Sequence, residues 1–296
     1  MRIGVLFNCQ YRGIAAALHA LLPSAEVIAV SRGGLPELVE DRRQLIATLN
    51  GCDHLVCNNV GGAGPLSVGT LQRTARRLHV LPALSFSGFH PDIVYVFRED
   101  GTPLVGPTMD YHSRIAIAAY LAGMSAAEAA SLYNRLVFRR LGYLESFAGE
   151  CALLTEQWAR FDFFVAPLLH RWLSGGCFMY SVNHPKVLPL LDLARAACAR
   201  MAVVPENPEV GAAEIEDTLR AFPTHPVFSD IAEAAGVAPE GIFRTGMNEK
   251  GNFHAFNTEE FVRADYQAFE TVKRGVLFRA DGVAAALAAL GLAAAG

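Results

Sequence analysis

A cysteine joins a predicted strand to a predicted helix near the start of the chain. Residues 3–7 form an apolar run typical of a buried strand, and residues 12–22 carry apolar side chains at helical spacing. Cys9, between Asn8 and Gln10, would stand at the positive end of a helix dipole, where the pKa of a thiol is lowered and a bound oxyanion is stabilised. Two interpretations stay open: a reactive thiol, or a small buried residue that ends the first strand.

A histidine follows a later predicted strand, in the segment SGFHPD at residues 87–92. Imidazole is the commonest general base, and the carboxylate of Asp92 could orient it, although Pro91 holds the segment extended and turns the two side chains apart. Alternatively, His90 braces the loop through hydrogen bonds. If Cys9 and His90 meet at one edge of a sheet, they supply the minimum for acyl chemistry centred on a thiol.

A glycine-rich loop follows the third predicted strand, over residues 58–65. Its amide side chains and backbone N–H groups suit an oxyanion or a phosphate. It lacks the Gly-Lys-Ser/Thr ending of a Walker A loop, and no G-x-G-x-x-G pattern opens the first helix, so nucleotide hydrolysis and nicotinamide binding lose support. A turn that needs positive φ explains the glycines equally well.

Polar residues interrupt an apolar context just before a predicted helix, over residues 180–186. Lys186 has the wrong charge for a helix N-terminus, so a bound phosphate is one candidate for its partner. The alternative is that Asn183 caps the helix while His184 and Lys186 face solvent.

Short apolar runs alternate with helical patterns as far as residue 97. The predicted strands are 3–7, 26–30, 54–60, 81–86 and 93–97, and the predicted helices are 12–22, 35–49 and 66–78. This alternation predicts a doubly wound, mostly parallel sheet. The loops of Cys9, Asn58 and His90 would then leave the sheet at the edge where such folds bind ligands.

The chain from residue 108 onward loses the strand pattern and becomes helical. Ser125 and Glu128 fit a capping box that opens one helix, and His112 with Arg114 is typical of a solvated helix start. Further helices are predicted over 113–122, 151–158, 187–202 and 258–273. The predicted fold class is α/β: an N-terminal sheet subdomain (residues 1–107) is embedded in a larger, mainly helical cradle (residues 108–296) that completes the ligand pocket.

The composition excludes several classes of protein. Apolar residues make up 52% and charged residues 18% of the 296, which is far from the composition of a disordered chain. With 25 Lys and Arg against 29 Asp and Glu, the net charge of −4 lacks the basic footprint of a nucleic-acid binder. The cysteines show no C-x-x-C spacing, so neither a disulfide framework nor a metal site is predicted. Because no apolar run reaches the ~20 residues of a membrane span and no signal peptide is recognisable, we expect a cytoplasmic protein.

Taken together, four motifs resemble the WcbI-type polysaccharide (capsule) biosynthesis proteins. The motifs are NCQ at residues 8–10 between strand and helix, GFHPDI at 88–93, the capping-box helix after YLAG at 120–123, and VNHPK at 182–186. They occur in the family's order over most of the chain. The first motif departs from the family pattern, which has glycine where this chain has Phe7.

The resemblance implies an α/β subdomain set into a helical cradle, with a deep pocket for coenzyme A. It also implies an acetyl transfer from acetyl-CoA to the hydroxyl of a capsular sugar, with Cys9, Gln10 and His90 at the reactive end. The candidate residues of the cofactor pocket are Asn8, Gln10, Asn58, Ser87, His90, Asn183, His184 and Lys186. The implied partners are a small-molecule acyl donor, a sugar or glycan acceptor, and a partner protein of polysaccharide assembly.

Two mechanisms fit this chemistry. His90 could deprotonate the sugar hydroxyl for direct attack on acetyl-CoA, while Gln10 and the helix amides hold the oxyanion; alternatively, Cys9 is acetylated first and hands the group on. We favour the first.

An SGNH-type esterase with cysteine in place of serine is a competing function. Such a hydrolase does not need a nucleotide-sized pocket that binds an anion. A non-catalytic accessory protein that binds CoA or glycan is another, and it predicts binding without turnover.

Overall fold

The computed structural model describes residues 1–33, 39–59 and 64–294, which form two compact units. The first unit combines Met1–Ser85, Leu154–Phe178 and Asn183–Arg220. The second unit consists of Phe86–Leu153, Met179–Val182 and the chain from Ala221 onward. Each unit is therefore assembled from three separate segments of the chain. The predicted boundary between a sheet subdomain (residues 1–107) and a helical region (residues 108–296) stays a prediction.

The first unit is built on a four-stranded parallel sheet with the strand order β2-β1-β3-β4. The strands are β1 (Arg2–Phe7), β2 (Glu26–Ser31), β3 (His54–Asn58) and β4 (Leu78–Leu81). The helices between them are α1 (Tyr11–Leu21), α2 (Val39–Asn50) and α3 (Val68–Thr74). The predicted fold class, a parallel-sheet subdomain in a mainly helical chain, is confirmed.

Apolar side chains cover both faces of this sheet. One face packs against α2 and α3 through a cluster that includes Leu6, Leu49, Leu55 and Leu71. Because parallel crossovers are right-handed and β1-α1-β2 runs in the opposite direction to the later crossovers, α1 covers the other face. There it packs against α9 (Val187–Met201). The sheet is thus doubly wound, as the alternation of strands and helices predicts.

Gly13 allows α1 and α9 to approach each other closely. A Cβ atom at this position would lie 2.4 Å from Leu190 Cδ1 and 3.3 Å from Thr218 Oγ1. We expect Gly13→Ala to lower the free energy of unfolding, measured by urea denaturation, by about 1–3 kcal/mol, the usual cost of overpacking a core. Gly149→Ala is the matched control, because a Cβ there meets open space and alanine favours a helix. Equal stabilities of the two variants would contradict this view of the packing.

The second unit is mainly helical and contains two small antiparallel sheets. In these sheets β5 (Ile93–Val94) pairs with β6 (His112–Ser113), and β7 (Phe243–Arg244) pairs with β8 (Ala255–Phe256). The prediction that residues 93–97 join the parallel sheet is therefore wrong. The remaining helices of the described chain are α4 (Arg114–Leu121), α5 (Ala126–Ala130), α6 (Arg135–Arg140), α7 (Ser146–Ala159), α8 (Ala166–Ser174), α10 (Ser229–Ala235), α11 (Thr258–Phe269), α12 (Arg274–Phe278) and α13 (Val283–Leu290). In the described ranges, every helix is too short or too polar to span a bilayer.

Of the predictions for the capping box at Ser125 and for a strand over residues 81–86, the first is right and the second is wrong. The capping box of Ser125 and Glu128 is confirmed, although α5 ends at Ala130. The strand predicted over residues 81–86 is wrong, because β4 ends at Leu81 and the backbone of Leu84 bonds to a side chain instead of to a strand. Residues 35–38 and 60, also predicted to be in a helix and a strand, lie outside the described residues.

A buried ion pair joins α11 to β6 in the second unit. His112 donates a hydrogen bond from Nδ1 to Asp265 Oδ1 at 2.6 Å and another from Nε2 to the Leu104 carbonyl at 3.0 Å. Burial lowers the pKa of His112, but Asp265 and the Leu104 carbonyl outweigh it, so the net shift is upward. Because both ring nitrogens face acceptors, these contacts favour the protonated imidazolium form of His112. The predicted solvated helix start at His112 is therefore wrong.

Candidate functional site

The carboxyl ends of β1 and β3 form the candidate site of the first unit. The connections of the sheet reverse direction between these two strands, and doubly wound sheets bind ligands in the crevice outside such a point. The loop after β1 carries Asn8, Cys9 and Gln10, and β3 ends with Asn58. Residues suited to chemistry therefore lie at the edge where this type of sheet binds ligands.

Asn8 shapes the turn before α1. Its Oδ1 accepts a hydrogen bond from the Gln10 backbone N–H at 3.1 Å, and its carbonyl accepts one from the Tyr11 N–H at 3.1 Å. This pattern is an Asx turn, in which an asparagine side chain replaces a backbone acceptor. Helix α1 begins without a side-chain cap, so the N–H groups that follow that of Tyr11 in its first turn are available at the same edge.

Cys9 is half-buried at this turn. Its Sγ lies 3.7 Å from the carbonyl oxygen of Asn183, within range of a thiol hydrogen bond. Four of the other cysteines are buried, and Cys151 is half-buried. The structure thus favours a thiol that solvent can reach over a buried residue that only ends the strand.

Gln10 is fully buried, and its carboxamide ties three segments of the first unit together. Nε2 donates to the Leu84 carbonyl at 2.7 Å and to the Asn183 carbonyl at 3.0 Å, while Oε1 accepts from the Leu84 N–H at 3.1 Å. Both N–H donors of the side chain are therefore in use. Cys9 and Gln10 converge on one backbone oxygen, that of Asn183, which fixes the loop after β1 against the segment before α9.

Asn58 is buried and bound to an arginine that the sequence reasoning missed. Arg32 follows β2, and its guanidinium donates to Asn58 Oδ1 at 3.1 Å, to the Asn58 carbonyl at 3.0 Å and to the Leu66 carbonyl at 2.7 Å. Since β1 lies between β2 and β3, this side chain crosses the carboxyl end of β1. Among the described residues Arg32 contacts no carboxylate, so its positive charge stays uncompensated at this edge. Its position directly after a strand of the same sheet is the signal that could have found it.

The segment 183–186 contributes backbone and a neutral imidazole. Burial lowers the pKa of His184 to about 4, so the ring carries no charge at neutral pH. Lys186 is the N-cap residue of α9 and donates from its backbone N–H to the Phe178 carbonyl at 2.9 Å. The alternative in which Asn183 caps this helix and His184 is solvated is therefore wrong.

Ser87 and His90 belong to a tight turn of the second unit. The His90 N–H donates to the Ser87 carbonyl at 2.9 Å, and the Ile93 N–H donates to the His90 carbonyl at 3.2 Å. Gly88 is required inside this turn, because a Cβ there would lie 2.7 Å from the ring of Phe86. The turn therefore has one compact arrangement that presents His90.

His90 is buried, and its hydrogen bond defines the position of its proton. Nε2 lies 3.2 Å from the carbonyl oxygen of His225, which can only accept, so Nε2 carries the hydrogen. In the neutral ring Nδ1 then holds the lone pair that a general base needs. His90 also lines a cavity of about 230 Å³ whose wall includes Tyr180, Thr224 and Glu240.

Asp92 does not orient His90. Its carboxylate accepts hydrogen bonds from Ser113 Oγ, from Tyr143 OH at 2.9 Å and from the Ile115 N–H at 3.0 Å. Burial raises the pKa of Asp92 despite these bonds. The carboxylate anchors the start of α4. Asp92 therefore has a structural role, and the prediction that it orients His90 is wrong.

The predicted site residues divide between the two units. Asn8, Cys9, Gln10, Asn58, Asn183, His184 and Lys186 lie in the first unit, whereas Ser87 and His90 lie in the second. Within the first unit the structure brings Cys9, Gln10 and Asn183 into contact. Across the described ranges no group of three or more His, Cys, Asp or Glu side chains is arranged to hold a metal ion.

Comparison with known proteins gives one family and one similar structure. The family model described as "Polysaccharide biosynthesis enzyme WcbI" matches residues 2–206. A solved structure of WcbI, described as the native protein without a disulfide bond between coenzyme A and a cysteine, is similar over 98% of each chain, with a TM-score of 0.67 and 14% sequence identity. At this identity the similarity shows a shared fold. No curated protein matches the sequence.

Proposed function

Since the chain belongs to the WcbI family of polysaccharide biosynthesis enzymes, we propose that it transfers an acetyl group from acetyl-CoA to a sugar hydroxyl. The acyl donor would bind at the carboxyl edge of the parallel sheet, and the acceptor would be a sugar or glycan. A cytoplasmic location, a role in capsule formation and a partner protein in polysaccharide assembly belong to the same proposal.

The position of Cys9 is the observation that carries this proposal. A half-buried thiol lies at the start of α1, beside backbone N–H groups and at the edge where doubly wound sheets bind ligands. The similar solved structure is described as WcbI without a disulfide bond between coenzyme A and a cysteine, and such a bond would need a cysteine close to the thiol end of the cofactor. Cys9 is the residue of this chain that fits such a position.

The charges at this edge fit the phosphates of coenzyme A. Arg32 offers a guanidinium that donates to neutral carbonyl and carboxamide oxygens, and guanidinium groups bind phosphate well. Lys186 stands at the start of α9, where a positive charge does not serve the helix dipole. We propose that Arg32 and Lys186 hold phosphate groups, while Asn8, Asn58, Asn183 and His184 shape the pocket. When bound, acetyl-CoA supplies an activated thioester.

In this proposal His90 is the base that acts on the acceptor. The acceptor hydroxyl gives its proton to Nδ1 of His90, its oxygen forms the new ester bond, and the bond to the CoA sulfur breaks with the electron pair leaving on sulfur. The bond from Nε2 to the His225 carbonyl would hold the ring in this tautomer. Ser87 supports the turn. Because both donors of Gln10 are occupied, we assign Gln10 a positioning role and leave the oxyanion to the N–H groups of α1.

Labelling of the cysteines tests the location of the donor site. We expect an alkylating reagent at neutral pH to modify Cys9 first, because burial raises the pKa of Cys151 and holds the pKa of Cys57 and Cys198 at about 11. Millimolar CoA should slow the modification of Cys9, and NAD should not. Peptide mass spectrometry measures both rates, with Cys151 as the internal control.

Two outcomes would contradict the proposed site. If a different cysteine were modified first, Cys9 would not be the accessible, reactive thiol that the proposal requires. Modification of Cys9 at an unchanged rate in CoA, together with no rise in melting temperature, would remove coenzyme A as the ligand and leave the esterase as the better function.

A further inference from the structure

A second cavity of the second unit is lined by none of the residues assigned so far to the proposed transfer. It measures about 450 Å³, and its walls are β5 with Tyr95 and Phe97 on one side and Val276 with residues 279–281 on the other. The volume falls within the range of about 300–1,000 Å³ that is typical of small-molecule sites.

Two aromatic rings form one wall of this cavity. The rings of Tyr95 and Phe97 are stacked, with centroids 6.4 Å apart and planes inclined by 23°. Phe97 keeps 58% of its surface exposed, although it sits beside the buried strand β5. A flat aromatic surface at the mouth of a pocket suits the apolar C–H face of a pyranose ring, because the ring buries apolar area without needing a polar partner.

The opposite wall carries a donor and an acceptor. Within the described chain Arg279 makes no side-chain hydrogen bond or ion pair, so its five N–H donors are available. The carboxylate of Asp281 is 94% exposed and lies 3.7 Å from Arg114 Nη2. A positive and a negative group on the wall of one cavity favour a neutral ligand with many hydroxyl groups over an anion, since hydroxyls both donate and accept.

The walls are held in place before any ligand binds. Arg114 donates from Nε to the Asp281 carbonyl at 3.0 Å, and a Cβ at Gly282 would lie 2.6 Å from the same Nε. The strand β5 pairs with β6, and Val276 is buried on α12. In a preformed pocket, little binding free energy is lost to the ordering of the pocket's own residues.

We propose that this cavity binds a neutral pyranose oligosaccharide, as a subsite for the acceptor glycan. The inference rests on the proposed function for the class of ligand, and on the cavity for the place. Ile93, on the cavity wall, donates its N–H to the His90 carbonyl at 3.2 Å. A saccharide in the cavity would therefore contact the same short segment of chain that carries the proposed base.

Saturation-transfer NMR with maltotetraose, cellotetraose and chitotetraose at millimolar concentration tests the subsite in the full chain without CoA. We expect at least one of the three to bind, and Phe97→Ala and Arg279→Gln each to weaken it about fivefold or more, as loss of an aromatic or arginine contact usually does. Phe164→Ala is the matched control, because Phe164 is 76% exposed in the first unit. That variant should bind like the unchanged protein.

Three outcomes would overturn the proposal: none of the saccharides binds, Phe97→Ala binds as well as Phe164→Ala, or AMP displaces the saccharide, which would make the cavity a nucleotide site. CoA binding is measured separately by thermal shift. If saccharide binding persists in a protein that CoA does not stabilise, the acetyltransferase proposal fails and the glycan subsite stands.

Discussion

Replacement of His90 by alanine should lower the rate of acetyl transfer by about 10²–10⁴, the usual contribution of a general base. The reason is that Nδ1 holds the lone pair in the tautomer that the His225 carbonyl selects. The affinity for CoA should change by no more than a few fold, since His90 is assigned to the acceptor. The rate is measured by release of CoA thiol in the presence of a sugar acceptor, at several pH values.

Two controls separate the role of a base from a structural role. His170→Ala removes an exposed histidine of α8 and should leave the rate unchanged. His90→Gln keeps a hydrogen-bond donor for the His225 carbonyl but cannot act as a base, so it should fold normally and stay as inactive as His90→Ala. An active His90→Gln would contradict the assignment, and His184 would then be the next residue to test.

Cys9→Ser distinguishes direct transfer from a covalent route. With direct transfer, which we favour, the variant should retain a substantial fraction of the activity, because serine can occupy the same turn. With an acetylated Cys9, transfer should be almost lost. Mass spectrometry of the unchanged protein mixed with acetyl-CoA alone should then show an acetylated Cys9 peptide.

The second large effect concerns stability. Asp265→Ala should lower the free energy of unfolding by about 3–5 kcal/mol, because it leaves the buried His112 without its counter-ion. Urea denaturation measures the change. The double variant His112→Phe/Asp265→Leu should be more stable than Asp265→Ala, because it removes both buried charges. Asp281→Ala, at an exposed carboxylate, is the control and should not change the stability.

The buried pair of His112 and Asp265 also predicts that the stability of the protein depends on pH. The pKa of His112 is raised in the folded protein, so its contribution is complete below the unfolded pKa of about 6.5 and is lost as pH rises through the folded pKa. The unfolding free energy of the unchanged protein should therefore fall on the alkaline side of that value, and that of the double variant should fall less. Equal slopes would contradict the charged pair. The pKa values of His184 and His225 are lowered by burial, so these residues act oppositely and destabilise the fold in acid.

The sequence predicts those parts of the fold that depend on neighbours along the chain. Strands β1 and β2, helix α1, the capping box at Ser125 and the helix α9 all follow from local periodicity or a cap, and all are present. The strand β5 was misplaced because its partner, β6, is a two-residue strand some twenty residues later. Two-residue strands are too short to show alternation, so their pairing is set by the packing of the whole unit.

The candidate site shows the same division. The reachable thiol of Cys9 follows from a strand, a turn and a helix in sequence. The commitment of Gln10 to the backbone of residues 84 and 183 does not, because both partners are remote in the chain. The ion pair of His112 is likewise not predictable from the sequence, because its partner Asp265 lies on α11, far along the chain. The residues near position 112 contain no pattern that indicates a buried ion.

The assembly of the first unit from three chain segments has a consequence for biosynthesis. The side of α1 that carries Gly13 is covered by α9, which is not complete until Met201 has left the ribosome. A nascent chain that already contains all four strands of the sheet must therefore leave this side of α1 uncovered while more than a hundred further residues are synthesised. Such contacts between distant segments form slowly and leave the partly made chain prone to aggregation, so this protein should depend on chaperones that bind nascent chains.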